Sequence, residues 1–110
     1  MGTLSKNKGK RGERELAKEL QRILGIDAKR GVQYQGSPDS PDIVTSIDGL
    51  HFECKRVEKL QLYPSLEQAA SDSGSAIPVL AHRRNRKKWV LAIYLEDLPE
   101  LCKVIHEQME

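Results

Sequence analysis

The spacing of apolar residues changes several times along this chain, and each change predicts an element. Leu16, Ala17, Leu20, Ile23 and Leu24 recur at three- and four-residue steps in "RGERELAKELQRILG". This is the signature of an amphipathic helix, and Gly25 is placed to stop it. "IDAKRGVQY" can supply a short strand, and "QGSPDSP" is a loop of turn residues. "DIVTSI" and "LHFECKRV" follow as two strands around Asp48-Gly49, the pair favoured in a two-residue type I′ hairpin turn. "SLEQAASDSG" predicts a short helix with Ser65 and Gln68 at capping-box spacing and Gly74 at its end. "AIPVLAHR" and "KWVLAIYL" are apolar at successive positions, as strands covered on both faces are. "DLPELCKVIHEQM" closes the chain as an amphipathic helix capped by Asp97 and Glu100. The predicted fold is α/β, a mixed β-sheet of about five strands flanked by helices in α-β-β-β-α-β-β-α order.

The hairpin raises a chemical question, because Asp42, Glu53 and Lys55 lie within its strands and an ionised group is costly to bury unpaired. A two-residue turn at Asp48-Gly49 would pair Ile47 with Leu50, Val44 with Glu53 and Asp42 with Lys55. Side chains alternate faces, so Asp42, Val44 and Ser46 share one face with His51, Glu53 and Lys55. The other face collects Ile43, Thr45, Ile47, Leu50, Phe52 and Cys54 and predicts the core. Asp42 and Glu53 are then diagonal neighbours, close enough to converge on one cation. A cross-strand ion pair between Asp42 and Lys55, with Glu53 solvated, is the plain structural alternative.

The first helix adds a fourth group. Glu13 stands in line with the buried stripe, one turn before it begins, whereas Glu15 is turned from it by about 200 degrees. Glu15 is expected on the wet face with Lys18, Glu19 and Arg22. An acid in a first helical turn also has an ordinary role against the helix dipole. Two carboxylates without a His or Cys cluster suit a hard cation such as Mg²⁺, which can polarise a phosphoryl oxygen and activate a water beside an ammonium group. The expected substrate is a phosphodiester.

Composition narrows the setting. The chain has 110 residues, 38% of them apolar and 31% charged, enough for one domain with one core. Residues 1–9 read as a flexible basic arm and 10–110 as the domain. No apolar run approaches the length of a membrane span, and the basic N-terminus has no apolar h-region of a secretory signal. A cytoplasmic location is expected. Cys54 and Cys102, without CxxC spacing, are expected to be buried free thiols. The net charge of +2 is unevenly spread. Lys8, Lys10, Arg11 and Arg14 crowd the beginning, and Arg83, Arg84, Arg86, Lys87 and Lys88 crowd one predicted turn. That polarity suits a polyanion, although basic turns are also commonly just solvated.

Pro41-Asp42, then Glu53-Cys54-Lys55, resembles the P-D…(D/E)-x-K signature of the restriction-endonuclease-like nuclease superfamily. "KGKRGERELAKEL" resembles the K-G-x-x-x-E-R helix opening of archaeal-type Holliday junction resolvases, and "SPDIV" with "FECKR" resembles their strand pair. The clear resemblance covers Lys8 to Arg56, and it extends to resolvase-like nucleases of phages. It implies a restriction-endonuclease-like fold and a Mg²⁺-dependent DNA endonuclease, with Mn²⁺ able to substitute. Its metal ligands would be Asp42, Glu53 and the Cys54 main-chain carbonyl. Glu13, Asp42, Glu53 and Lys55 would form its catalytic set. It further implies a homodimer acting on four-way DNA junctions, gripped by Lys8, Lys10, Arg11, Arg14 and the basic turn at Arg83, Arg84, Arg86, Lys87 and Lys88. Ser37 falls where resolvases carry a functional serine. Gln68 reads better as a helix cap than as a site residue, His51 as a solvated strand histidine, and Trp89 and Tyr94 as core. The alternatives are a flap, mismatch or duplex endonuclease on the same fold, or a non-catalytic DNA-binding module.

Overall fold

The apolar stripe of the first helix finds its partner in the strands that follow. A computed structural model describes residues 2–31 and 41–108, with side chains from Gly9 onward. The elements are α1 (Gly2–Leu24), β1 (Ala28–Arg30), β2 (Ile43–Thr45), β3 (Leu50–Lys55), α2 (Leu62–Ser73), β4 (Ile77–His82), β5 (Val90–Ala92), a 3₁₀ turn (Leu95–Asp97) and α3 (Leu98–Gln108). One five-stranded sheet runs in the order β1-β2-β3-β4-β5. Only β3 and β4 are parallel, and α2 makes the crossover that such a pair requires. The architecture is the expected α/β arrangement, a five-stranded mixed sheet with helices packed on it.

Each sheet face has its own helix. Leu16, Ala17 and Leu20 of α1 pack with Ala28, Ile43, Phe52, Ile77, Val79 and Ala81. Leu66 and Ala69 of α2 and Leu80 of β4 are buried outside that cluster. Alternation along β4 puts Leu80 opposite Val79, so α2 covers the second face. The parallel register sets His51 beside Pro78, Glu53 beside Leu80 and Lys55 beside His82. The ionisable side chains of β3 therefore stand on the α2 face.

Several local expectations change. The helical backbone runs from Gly2, so α1 extends through the stretch expected as an arm; once the packed part of a helix is formed, adding residues to its end costs little. The hairpin turn is longer than two residues. Ile43 pairs with Phe52, which sets Asp42 opposite Glu53 and not Lys55. Gly49 has φ 94°, but no positive φ occurs at Asp48, so the turn is not type I′. Instead the Ile47 N–H donates to the Thr45 hydroxyl at 3.2 Å, and the Ser46 N–H to the Asp27 carbonyl at 3.0 Å. Side chain and neighbouring strand hold the wider turn.

The α2 helix begins three residues early, and Ser65 lies inside it, its N–H donating to the Gln61 carbonyl. No capping box forms. β5 is shorter and more exposed than predicted, with Val90 55% and Leu91 57% accessible. It is the sheet edge, and α3, which has no buried residue, leaves it open. Cys102 on α3 is exposed for the same reason, whereas Cys54 is half-buried. Trp89 packs partly against the core, as expected.

Two glycines permit the backbone crossings that frame the site. Gly31 is buried where the chain leaving β1 passes the Pro41 carbonyl, leaving no room for a side chain. Gly12 faces β3, and a Cβ built there would lie 2.5 Å from the Arg56 Cβ. Gly9, one turn earlier, faces open space. Gly12→Ala should therefore cost about 1–3 kcal/mol by overpacking. Gly9→Ala should be neutral or stabilising by up to about 1 kcal/mol through helix propensity. Urea denaturation of both variants checks the pair; equal effects would contradict this close approach of α1 to β3.

Candidate active site

Asp42 is fixed at three points. Its N–H donates to the Phe52 carbonyl at 3.0 Å, its carbonyl accepts from Gly31 N–H at 2.8 Å, and its Oδ2 accepts from Cys54 N–H at 2.8 Å. The carboxylate thus caps β3 where β2 begins. Glu53 stands opposite on the same face. The two-residue change of register leaves Asp42, Glu53 and Lys55 on their predicted shared face, because faces repeat every two residues.

Burial and like charge act on this pair. Burial raises the Asp42 pKa above the usual carboxylate value; the Cys54 N–H opposes that shift, and Glu13 adds to it. Glu53 is raised to about 7, chiefly by burial and then by Asp42. Lys55 favours the charged form of both acids. Burial also raises the Cys54 thiol, keeping it neutral. Two partly desolvated carboxylates a strand apart, only partly compensated by Lys55 and, at Asp42, by Arg30, invite a cation.

Glu13 turns inward, as its helical phase predicts, and its nearest partner is Arg30. The guanidinium Nε donates to Glu13 Oε1 at 2.7 Å. Arg30 shares the α1 face with Ile43 and Ala28 by register and alternation. The Glu13–Arg30 pair therefore approaches from the face opposite the hairpin acids and acts on them through space. Arg30 was not among the residues expected in the site. Its only sequence signal was a cation at the end of a short predicted strand, and only the fold supplies its partner 17 residues away.

The remaining expected residues fall into three groups. His51 is 4% exposed, not solvated, with Nε2 3.8 Å from Glu53 Oε1, because α2 covers this face. Gln68 is no helix cap; its amide donates to Asp72 at 3.0 and 3.1 Å, and Asp72 also raises Glu53. Asp72 is a second residue the sequence did not mark. Lys10, Arg11 and Arg14 are exposed on α1, and Arg84, Arg86, Lys87 and Lys88 are exposed at the β4–β5 turn. Arg83 is half-buried and paired with Glu15. Ser37 and the Lys8 side chain lie outside the described residues.

Among the described residues, no three His, Cys, Asp and Glu side chains gather around one ion position. The donor set at the hairpin is smaller, namely Asp42, Glu53 and one main-chain oxygen. The Cys54 N–H bonds toward Asp42, and in a strand a residue's N–H and C=O point to the same edge, so the Cys54 carbonyl faces that side too. Such a set fits an ion that keeps water and phosphate ligands, as Mg²⁺ does.

The raised Glu53 pKa has a consequence for stability. Its folded value, about 7, exceeds the ordinary value of 4.5, so the native state binds more protons between the two. That contribution is complete below pH 4.5 and is lost as pH rises through 7. In metal-free protein, unfolding free energy should fall between pH 5 and 8 by on the order of 2 kcal/mol more than in Glu53→Gln. Denaturation at the two pH values checks this; identical pH dependence in both proteins would contradict it.

The comparisons agree with the geometry. Residues 4–110 match the family described as "Phage putative PDDEXK endonuclease". Among solved structures, the chain is similar to Hjc of Archaeoglobus fulgidus, a Holliday junction resolvase from an archaeal hyperthermophile. Identity is 27% over 76% of this chain and 74% of that one, with a TM-score of 0.57. No curated protein sequence matches. With the Pro41-Asp42 and Glu53-Cys54-Lys55 elements set on neighbouring strands of the matching fold, the chain belongs to the phage PD-(D/E)xK endonuclease family.

Proposed function

We propose that this endonuclease is a metal-dependent enzyme selective for branched DNA, binding four-way junctions above linear duplex and cutting them as a homodimer. The observation that carries the reading is the Asp42–Glu53 pair beside Lys55, flanked by exposed cations on α1 and at the β4–β5 turn. Likeness to a protein described as a Holliday junction resolvase favours the junction over a flap or plain duplex.

Asp42, Glu53 and the Cys54 carbonyl would hold a divalent ion, which when bound supplies Lewis-acid polarisation of the phosphate and an activated water. The chain's own groups do the rest. Lys55 places an ammonium beside the acids, where it offsets charge developing on the phosphate. Glu13 orients Arg30 at the rim of the site, where a guanidinium can grip a phosphate oxygen. The cations of α1 and the turn hold the backbone without reading bases. Arg86 keeps φ 63°, where glycine would be less strained, consistent with a side chain retained for contact. The open edge of β5, with Val90 and Leu91 exposed on it, and the neighbouring Leu95 and Leu98 offer an apolar surface for a second copy. A cytoplasmic location suits this reading.

Cleavage of a labelled four-way junction should vanish in EDTA and return with Mg²⁺ or Mn²⁺, while Ca²⁺ supports binding with little cutting. Paired nicks are expected, with weaker binding and cutting of duplex and a steep loss of affinity with salt. Turnover in excess chelator would remove the metal mechanism, and equal action on duplex would remove the junction. Glu13→Gln should slow cleavage by on the order of a hundredfold while leaving junction binding nearly intact. Gel-shift and single-turnover assays measure the two, and an unchanged rate would exclude Glu13 from the site.

A further inference from the structure

Glu15 does not occupy the wet face that its helical phase suggests. Its carboxylate is 29% exposed and accepts a hydrogen bond from Arg83 Nη1, while Arg56 Nε lies 3.4 Å away at ion-pair geometry. The helix leans on the end of β3, so residues beyond its apolar stripe also meet the protein.

Arg56 directly follows Lys55, and its side chain is only 15% exposed. Its guanidinium joins three segments. Besides Glu15 on α1, it reaches the Arg83 carbonyl at 3.5 Å, the Asn85 side-chain oxygen at 3.0 Å and Glu58 at 3.8 Å. Asn85 N–H donates to Glu58 at 2.7 Å, and Arg83 Nε to the Lys87 carbonyl at 2.5 Å. The absent Cβ of Gly12 lets α1 lie against Arg56. Two arginines face two glutamates, so the cluster is neutral and offers no net charge to DNA.

We propose that Glu15 and Arg56 are positioning residues for phosphodiester cleavage. Glu13 is two residues from Glu15 on a rigid helix, and Lys55 is adjacent to Arg56 on β3. The clamp between them fixes the spacing of Glu13 and Lys55 and holds the basic turn in place relative to both. Charge alone cannot do this, since a lysine at 56 would have one ammonium where the planar fork reaches several acceptors. The inference rests on the nuclease reading.

The test compares Glu15→Gln, Arg56→Lys and Glu19→Gln. Glu19 is on the same helix and forms its ion pair with Arg22, reaching Arg83 through space without a bond to it, so it controls for the lost negative charge. Glu15→Gln and Arg56→Lys should each lower the single-turnover rate at saturating junction about tenfold or more. Glu15→Gln should bind DNA as tightly as the parent or a few-fold tighter at low salt, because it uncovers positive charge. Glu19→Gln should cut at the parental rate. Hydrogen exchange, read without DNA, should show amides of 10–16 and 53–56 losing protection in the first two variants only. Parental rates in both would overturn the proposal, as would rate and affinity falling together in step with melting. If the parent cuts no DNA, the nuclease reading fails; the exchange arm still decides whether the clamp exists, and unchanged protection overturns it.

Discussion

Two carboxylates held opposite each other across β2 and β3 are the constraint around which this small fold is arranged. Asp42 and Glu53 share a half-buried face; burial makes both harder to ionise, and the charge of Asp42 adds to that at Glu53. A hairpin selected only for stability would place an apolar or oppositely charged pair there. Main-chain bonds to Phe52, Gly31 and Cys54 hold Asp42 against that repulsion, and α2 closes over the face so that water cannot fully screen it. Glu13 from the opposite face adds more negative charge, balanced locally by Arg30. The site is thus a patch of incomplete compensation inside a chain of near-neutral net charge, a state that a divalent ion and a phosphate would complete.

The first helix serves two functions at once because two of its glutamates point differently. Glu13 continues the buried stripe and reaches the site through Arg30. Glu15 is turned away from that stripe yet meets Arg56 and Arg83, which belong to strand ends brought beside the helix by the parallel β3–β4 pair. Gly12 between the exposed Arg11 and Glu13 is what makes the approach so close. Packing and electrostatics are coupled here: moving the helix outward would release the clamp and displace Glu13 together.

Much of this could be read from sequence, for identifiable reasons. Element order and the phase of the buried stripe follow from apolar spacing, and the packed part of α1, β3 and β4 lie where that spacing puts them. The hairpin register differs by two residues from the one that Asp48-Gly49 predicts as a tight turn, because the Thr45 hydroxyl and Asp27 carbonyl favour a wider one. The faces survived the error since the period is two. What stayed hidden depends on contacts far apart in the chain. Arg30, Asp72 and Arg56 gain meaning only from Glu13, Glu53 and Glu15, and no local pattern marks them. β5 looked doubly covered because successive apolar residues fit both a buried strand and an edge left for another surface.

The central claim is that Asp42, Glu53 and the adjoining main chain form the metal-binding core of the site. A crystal of the protein grown with Mn²⁺ and measured at the manganese absorption edge tests it most directly. An anomalous peak is expected in contact with the carboxylates of Asp42 and Glu53 and the Cys54 carbonyl, and none in Asp42→Asn crystals grown in the same way. Manganese bound elsewhere with this pair left untouched, or bound equally well without the Asp42 carboxylate, would contradict it.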